Sequence, residues 1–88
     1  LVETAVEVQT GKQWNVVKYA IQAERAGLTL LWVTDARGVV GSPWQVNVRA
    51  GELHRSRAGF TVPRPGRYTL NVLLGSSGVV RVPFKASR

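Results

Sequence analysis

Catalysis and metal binding need reactive side chains that can converge, and this chain has few of them. Its single histidine is His54, in the run Gly51-Glu52-Leu53-His54-Arg55-Ser56-Arg57. A histidine there could act as a general base or a metal ligand, but either role needs partners. There is no cysteine and no second histidine, and Glu52 is the one carboxylate nearby in sequence. The other acids, Glu3, Glu7, Glu24 and Asp35, are scattered. His54 therefore reads as a solvent-exposed loop residue. The run Gly75-Ser76-Ser77-Gly78 could suggest a phosphate loop, but it lacks the following helix and lysine that make such loops work. It reads as a hairpin turn. No catalytic residue, metal or cofactor is expected, and the chain is not expected to be an enzyme.

Binding chemistry is better represented. The formal net charge is +7, and its distribution is uneven. Lys12, Lys18, Arg25 and Arg37 balance Glu3, Glu7, Glu24 and Asp35 in the first 48 residues. Beyond them, Arg49, Arg55, Arg57, Arg64, Arg67, Arg81, Lys85 and Arg88 face Glu52 alone. All of the excess lies in the second half. Arg49, Arg55, Arg57, Arg64, Arg67, Arg81 and Lys85 are the candidate basic face, suited to an acidic protein, an anionic lipid surface or a nucleic acid. Nucleic acid is the least favoured, because no exposed aromatics are interleaved with these residues. The alternative is that they keep strand edges soluble. Trp14, Trp32 and Trp44 could form a sugar-stacking platform. Trp32 lies in the most apolar segment and Trp44 on an alternating face, so both read as core and Trp14 as the freest.

The elements that must position these groups read as strands. Residues 15–27 hold the best helical candidate, but their apolar positions do not keep a helical stripe. Alternation fits better, with Val17, Tyr19 and Ile21 on one side and Lys18, Ala20 and Gln22 on the other. Trp14 and Val16 break that parity, which predicts a bulge or a strand start near Val16. A weak strand over 4–8 ends at Thr10-Gly11. Residues 28–34 are apolar on both parities, which predicts a central strand. Asp35-Ala36-Arg37-Gly38 is a turn signal. Residues 44–49 place Trp44, Val46 and Val48 inward and Gln45, Asn47 and Arg49 outward. The polar stretch after them reads as a loop or an exposed edge, and 60–62 as a short strand.

The closing hairpin, Pro65 to Lys85, is the best patterned. Tyr68, Leu70, Val72 and Leu74 share one face; Val80, Val82, Phe84 and Ala86 share its counterpart. A loop over 75–79 pairs Leu74 with Val80, Val72 with Val82, Leu70 with Phe84, and Tyr68 with Ala86. A slip of one residue would turn Arg81 toward the core. Arg67, Thr69, Asn71, Leu73, Arg81, Pro83 and Lys85 then face outward. Pro83 cannot donate to a ladder, so the last strand is expected at an edge.

A chain of 88 residues suits one thin-cored domain spanning 1–88. With 44% hydrophobic and 19% charged residues, it is a folded segment rather than a disordered one. No apolar run is long enough to cross a bilayer. The sequence opens on Leu1 without a leader, so it reads as a piece of a larger protein, expected in the cytoplasm. The fold class expected is all-β, an antiparallel β-sandwich of about seven to eight short strands, Ig-like or jelly-roll (GOLD-like) in topology.

Two resemblances accompany this reading. Pro65, Gly66, Tyr68 and Thr69, then Gly75, then Pro83 and Phe84, make the closing segment resemble the C-terminal end of an immunoglobulin-like filamin repeat. The match covers about a quarter of the chain, and Arg81-Val82 stands where that pattern has Gly-Ser. Val17, Tyr19, Ile21, Gly27, Leu30 and Trp32, with Gly66, Tyr68, Leu70, Val82 and Phe84 later, resemble a GOLD domain, a sandwich of Golgi and lipid-trafficking proteins. Both imply a recognition module without catalysis. The expected function is a protein-interaction domain, an adaptor or scaffold, that binds its partner through a sheet edge or face. The filamin resemblance implies a receiving edge along Leu28, Leu30 and Trp32. The alternatives are a trafficking-type domain whose basic hairpin face meets anionic lipid or an acidic partner, and a spacer or self-associating module.

Overall fold

The computed structural model describes residues 2–8, 14–61, 64–74 and 78–86, with side chains described for 15–61, 64–74 and 78–86. The expected turns at Thr10-Gly11 and Gly75–Ser77, and the side chain of Trp14, lie outside them. The described residues form strands and no helix: β1 (Val2–Val8), β2 (Trp14–Gln22), β3 (Gly27–Asp35), β4 (Gly38–Val48), β5 (Leu53–Thr61), β6 (Gly66–Leu73) and β7 (Val79–Ala86). They make two antiparallel sheets, a three-stranded one in the order β1-β2-β5 and a four-stranded one in the order β4-β3-β6-β7.

Alternation explains which side chains face the space between the sheets. Val17, Tyr19 and Ile21 of β2 are buried while Lys18 and Gln22 are exposed. Leu31 and Val33 of β3, and Tyr68, Leu70 and Val72 of β6, meet them from the other sheet to form one core cluster. Aromatic residues join the layers. The Phe60, Tyr68 and Phe84 rings lie 5.9–6.1 Å apart, and the Trp44 indole lies 6.0 Å from Tyr19 and donates Nε1–H to its hydroxyl at 3.0 Å. Trp44 thus takes the inward place its parity predicts. So do Val46 and Val48.

Of the bulge or strand start expected near Val16, the structure has the start, at Trp14, and the register of β2 is unbroken. The polar stretch 53–59 takes the exposed-edge alternative rather than the loop, and it runs on through 60–61 as one strand, Leu53–Thr61, laid along β2, so the short strand expected over 60–62 is not a separate element. In the closing hairpin Val72 faces Val80, Leu70 faces Val82, Tyr68 faces Phe84 and Gly66 faces Ala86. That is a two-residue slip from the expected pairing, and because side chains alternate with period two it leaves every residue on its predicted face. The tighter closure comes from Leu74 N–H donating to the Gly78 carbonyl at 3.1 Å, with Gly78 at φ +92°. A further correction concerns Trp32. It belongs to the parity opposite Leu31 and Val33, so it stands half-buried on the outer face of its sheet instead of in the core.

Candidate interaction surfaces

Strand parity and sheet membership decide where the candidate basic residues go. On β6 and β7, Arg67 lies opposite Lys85, and Arg81 lies opposite Asn71. All three cations are exposed on the outer face of the four-stranded sheet. Arg55 and Arg57 are exposed on β5, in the other sheet, and point away on the opposite side of the molecule. There Arg57 lies opposite Lys18 of β2, and Arg55 opposite Ala20. These residues line an open groove of 390 Å³. Arg49 sits beyond the end of β4, 4.0 Å from Glu52, with both side chains largely in water. Arg64 turns toward Asp35 at 3.6 Å. The seven residues therefore do not form one basic face: β5 and β6 follow one another in sequence but belong to different sheets, so their outward positions face opposite ways.

The proposed receiving edge is corrected as well. β3 is an interior strand, paired with β4 on one side and β6 on the other, so Leu28, Leu30 and Trp32 cannot accept an added strand. Their side chains instead share the outer face with Arg67, Arg81 and Lys85. Leu28 is 60% exposed and Val39 of β4 is 59% exposed, while Leu30 and Trp32 are half-buried. Trp32 lies opposite Asn71, which in turn lies opposite Arg81, so the indole and the guanidinium occupy one row across the sheet. Asn71 has the outward parity that alternation predicts, yet it is covered. It is 4% exposed, and its Nδ2 donates to the Trp32 carbonyl at 3.2 Å, Thr34 Oγ1 at 3.0 Å and the Thr69 carbonyl at 3.2 Å. This amide ties β3 to β6 beneath the face. Nothing in its sequence context distinguished it from Thr69.

One end of this face is held by Asp35. Its Oδ1 accepts N–H from Arg37 at 2.8 Å and from Gly38 at 3.1 Å, the local pattern expected of Asp at the start of a turn. Those amides, the Arg37 one foremost, and the Arg64 guanidinium hold its carboxyl below the usual carboxylate value. The carbonyl of Arg64 accepts the Tyr68 hydroxyl. Asp35, Arg64 and Tyr68 thus bind the β3–β4 turn to the segment that leads into β6.

His54 is on the inward parity of β5, half-buried, rather than in a loop. Its Nε2 is buried and takes no hydrogen bond among the described residues. No group of three or more His, Asp or Glu residues that could hold a metal occurs among the described residues. In comparisons with known proteins, no protein-family model and no curated protein matches this chain.

Proposed function

We propose that this chain is a non-catalytic interaction domain of immunoglobulin-like type that binds an acidic protein surface across the outer face of β4-β3-β6-β7. Two features support the immunoglobulin-like reading. The first is the face-to-face arrangement of β1-β2-β5 against a sheet in which β3, β6 and β7 lie side by side in that order. The second is Tyr68, near the start of β6, whose hydroxyl reaches back to a backbone carbonyl four residues upstream, as in the tyrosine corner of such sandwiches. The fourth strand lies beside β3 rather than beside β5, a variant of the constant-type order.

The observation that carries the binding reading is the composition of the outer face. Half-buried Leu30 and Trp32 give a partly desolvated apolar centre, Arg81 shares the row of Trp32 across the sheet, and Arg67 and Lys85 lie two rows further along β6 and β7. A central aromatic with a polar rim is the usual anatomy of a protein-recognition surface, and Trp and Arg are the side chains that most often dominate its energy. The net charge selects an acidic partner. The test is a titration of isotope-labelled protein with a short capped peptide rich in Asp, Glu and Leu, at low and high salt. Vesicles of phosphatidylserine and of phosphatidylcholine serve as the membrane arm. Amide shifts over 28–34, 67–73 and 79–85 that fade with salt, and that are lost in Arg67→Glu/Arg81→Glu/Lys85→Glu, are expected. Co-sedimentation with phosphatidylserine vesicles alone would assign the face to lipid. No response to either probe would leave a spacer role and end this reading.

A further inference from the structure

A three-stranded sheet packed on a four-stranded one leaves something uncovered, and here it is the inner side of β4. Between the free edges of β4 and β5 opens a cleft of 320 Å³. Val17 and Val33 lie at its base, Val40 and Trp44 on one wall, and Ala58 and Phe60 on the other. Val40, Trp44 and Ala58 are half-buried, although they pack against the core. Gly41, Ser42 and Gly59 line the same cleft and fill little of it.

The edges differ in how well they could receive a strand. β4 is broken by a bulge, where Gly41 to Pro43 oppose Trp32 alone, and Pro43 has no N–H to offer. β7 carries Pro83 in mid-strand. β1 runs beside β7. β5 has neither defect. It pairs with β2 over nine consecutive positions without a register shift, contains no proline, and among the described residues pairs with no strand on its other side, where β4 comes close without pairing. The side chains of β5 also write a pattern for whatever lies next to it. Arg55 and Arg57 point outward and are exposed, while Ala58 and Phe60 point into the cleft. A neighbouring strand would set alternate residues beside two cations and the others over an apolar hollow.

We propose that the free edge of β5 accepts an extended segment of a partner protein in which acidic residues alternate with apolar ones. Main-chain hydrogen bonds extend the three-stranded sheet to four, the acids meet Arg55 and Arg57, and the apolar side chains fill the cleft against Trp44 and Phe60. A second copy of this chain is the wrong occupant, because its β5 offers no acidic residue to meet Arg55 and Arg57, and a register centred on Ser56 sets these cations against their own copies. The site is separate from the outer face of the four-stranded sheet, and the two readings can fail independently.

The test uses isotope-labelled protein and two short capped peptides, one alternating Glu with Val and one alternating Lys with Val. Expected for the Glu-Val peptide are amide shifts over 55–61 and 40–44 and slowed hydrogen exchange within Ser56–Thr61. In Arg55→Glu/Arg57→Glu, which alters only exposed side chains, its affinity falls at least tenfold and the Lys-Val peptide binds instead. No binding, or equal binding by the charge-reversed variant, overturns the proposal. Shifts confined to 28–34, 67–73 and 79–85 also overturn it, assigning acidic peptides to the outer face alone. Sedimentation showing wild-type dimers that the Glu-Val peptide does not dissociate would assign the edge to a second copy and overturn it as well.

Discussion

Replacing Tyr68 by Phe tests the joint between the β3–β4 turn and β6. The substitution keeps the ring, and with it the contacts to Phe60 and Phe84 in the core. It removes only the hydroxyl that donates to the Arg64 carbonyl. A hydrogen bond of this kind contributes about 1 kcal/mol net, and leaving a partly buried carbonyl without its donor adds to the loss, so about 1–2 kcal/mol is expected. For 88 residues the entropy of unfolding near the midpoint is about 0.18 kcal/mol/K, at ~2.1 cal/mol/K per residue. Tm should therefore fall by about 5–11 °C. Thermal and urea unfolding followed by tryptophan fluorescence measure it, with an unchanged urea slope marking a change in stability alone. Arg64 also faces Asp35 through its side chain, so the losses in Tyr68→Phe and Asp35→Asn should be non-additive in a double-mutant cycle. A Tm within 1 °C of wild type, or strict additivity, would refute the claim that this hydroxyl anchors the segment.

Two other perturbations follow from the same geometry. The folded state holds the Asp35 carboxyl below its ordinary value of 3.8, so its ionised form adds stability above that pH and loses it as pH falls through the depressed folded value. Asp35→Asn should flatten the acid limb of a stability-against-pH curve and leave its neutral plateau lower; an unchanged acid limb counts against the Arg37 and Gly38 amides as its partners. Trp44→Phe removes the Nε1–H donated to Tyr19 and part of the inward packing of β4, so urea unfolding should show a loss of about 1–3 kcal/mol. An unaltered urea midpoint would contradict the placement of Trp44 against Tyr19.

Alternation is a local property, and wherever one face was apolar and the other polar the faces were legible. Val17, Tyr19 and Ile21 in β2, Trp44, Val46 and Val48 in β4, and both faces of the β6–β7 hairpin follow that pattern. The Asp35 turn, the interior position of β3 and the edge position of β7 with its Pro83 were legible from other local signals. Three things were not legible. Leu28–Thr34 is apolar on both parities, so only packing against β2 and β6 could decide that Leu31 goes inward and Trp32 outward. The hairpin register is fixed modulo two by burial, since a slip of two keeps every side chain on its face; the turn closure at Leu74 and Gly78 selects between the survivors. Closeness in sequence makes the basic residues read as one surface. Which sheet a strand joins depends on contacts far apart along the chain, and that choice sent Arg55 and Arg57 to one side and Arg67, Arg81 and Lys85 to the other. It also left the edge of β5 open above an apolar cleft, which no local pattern could have announced.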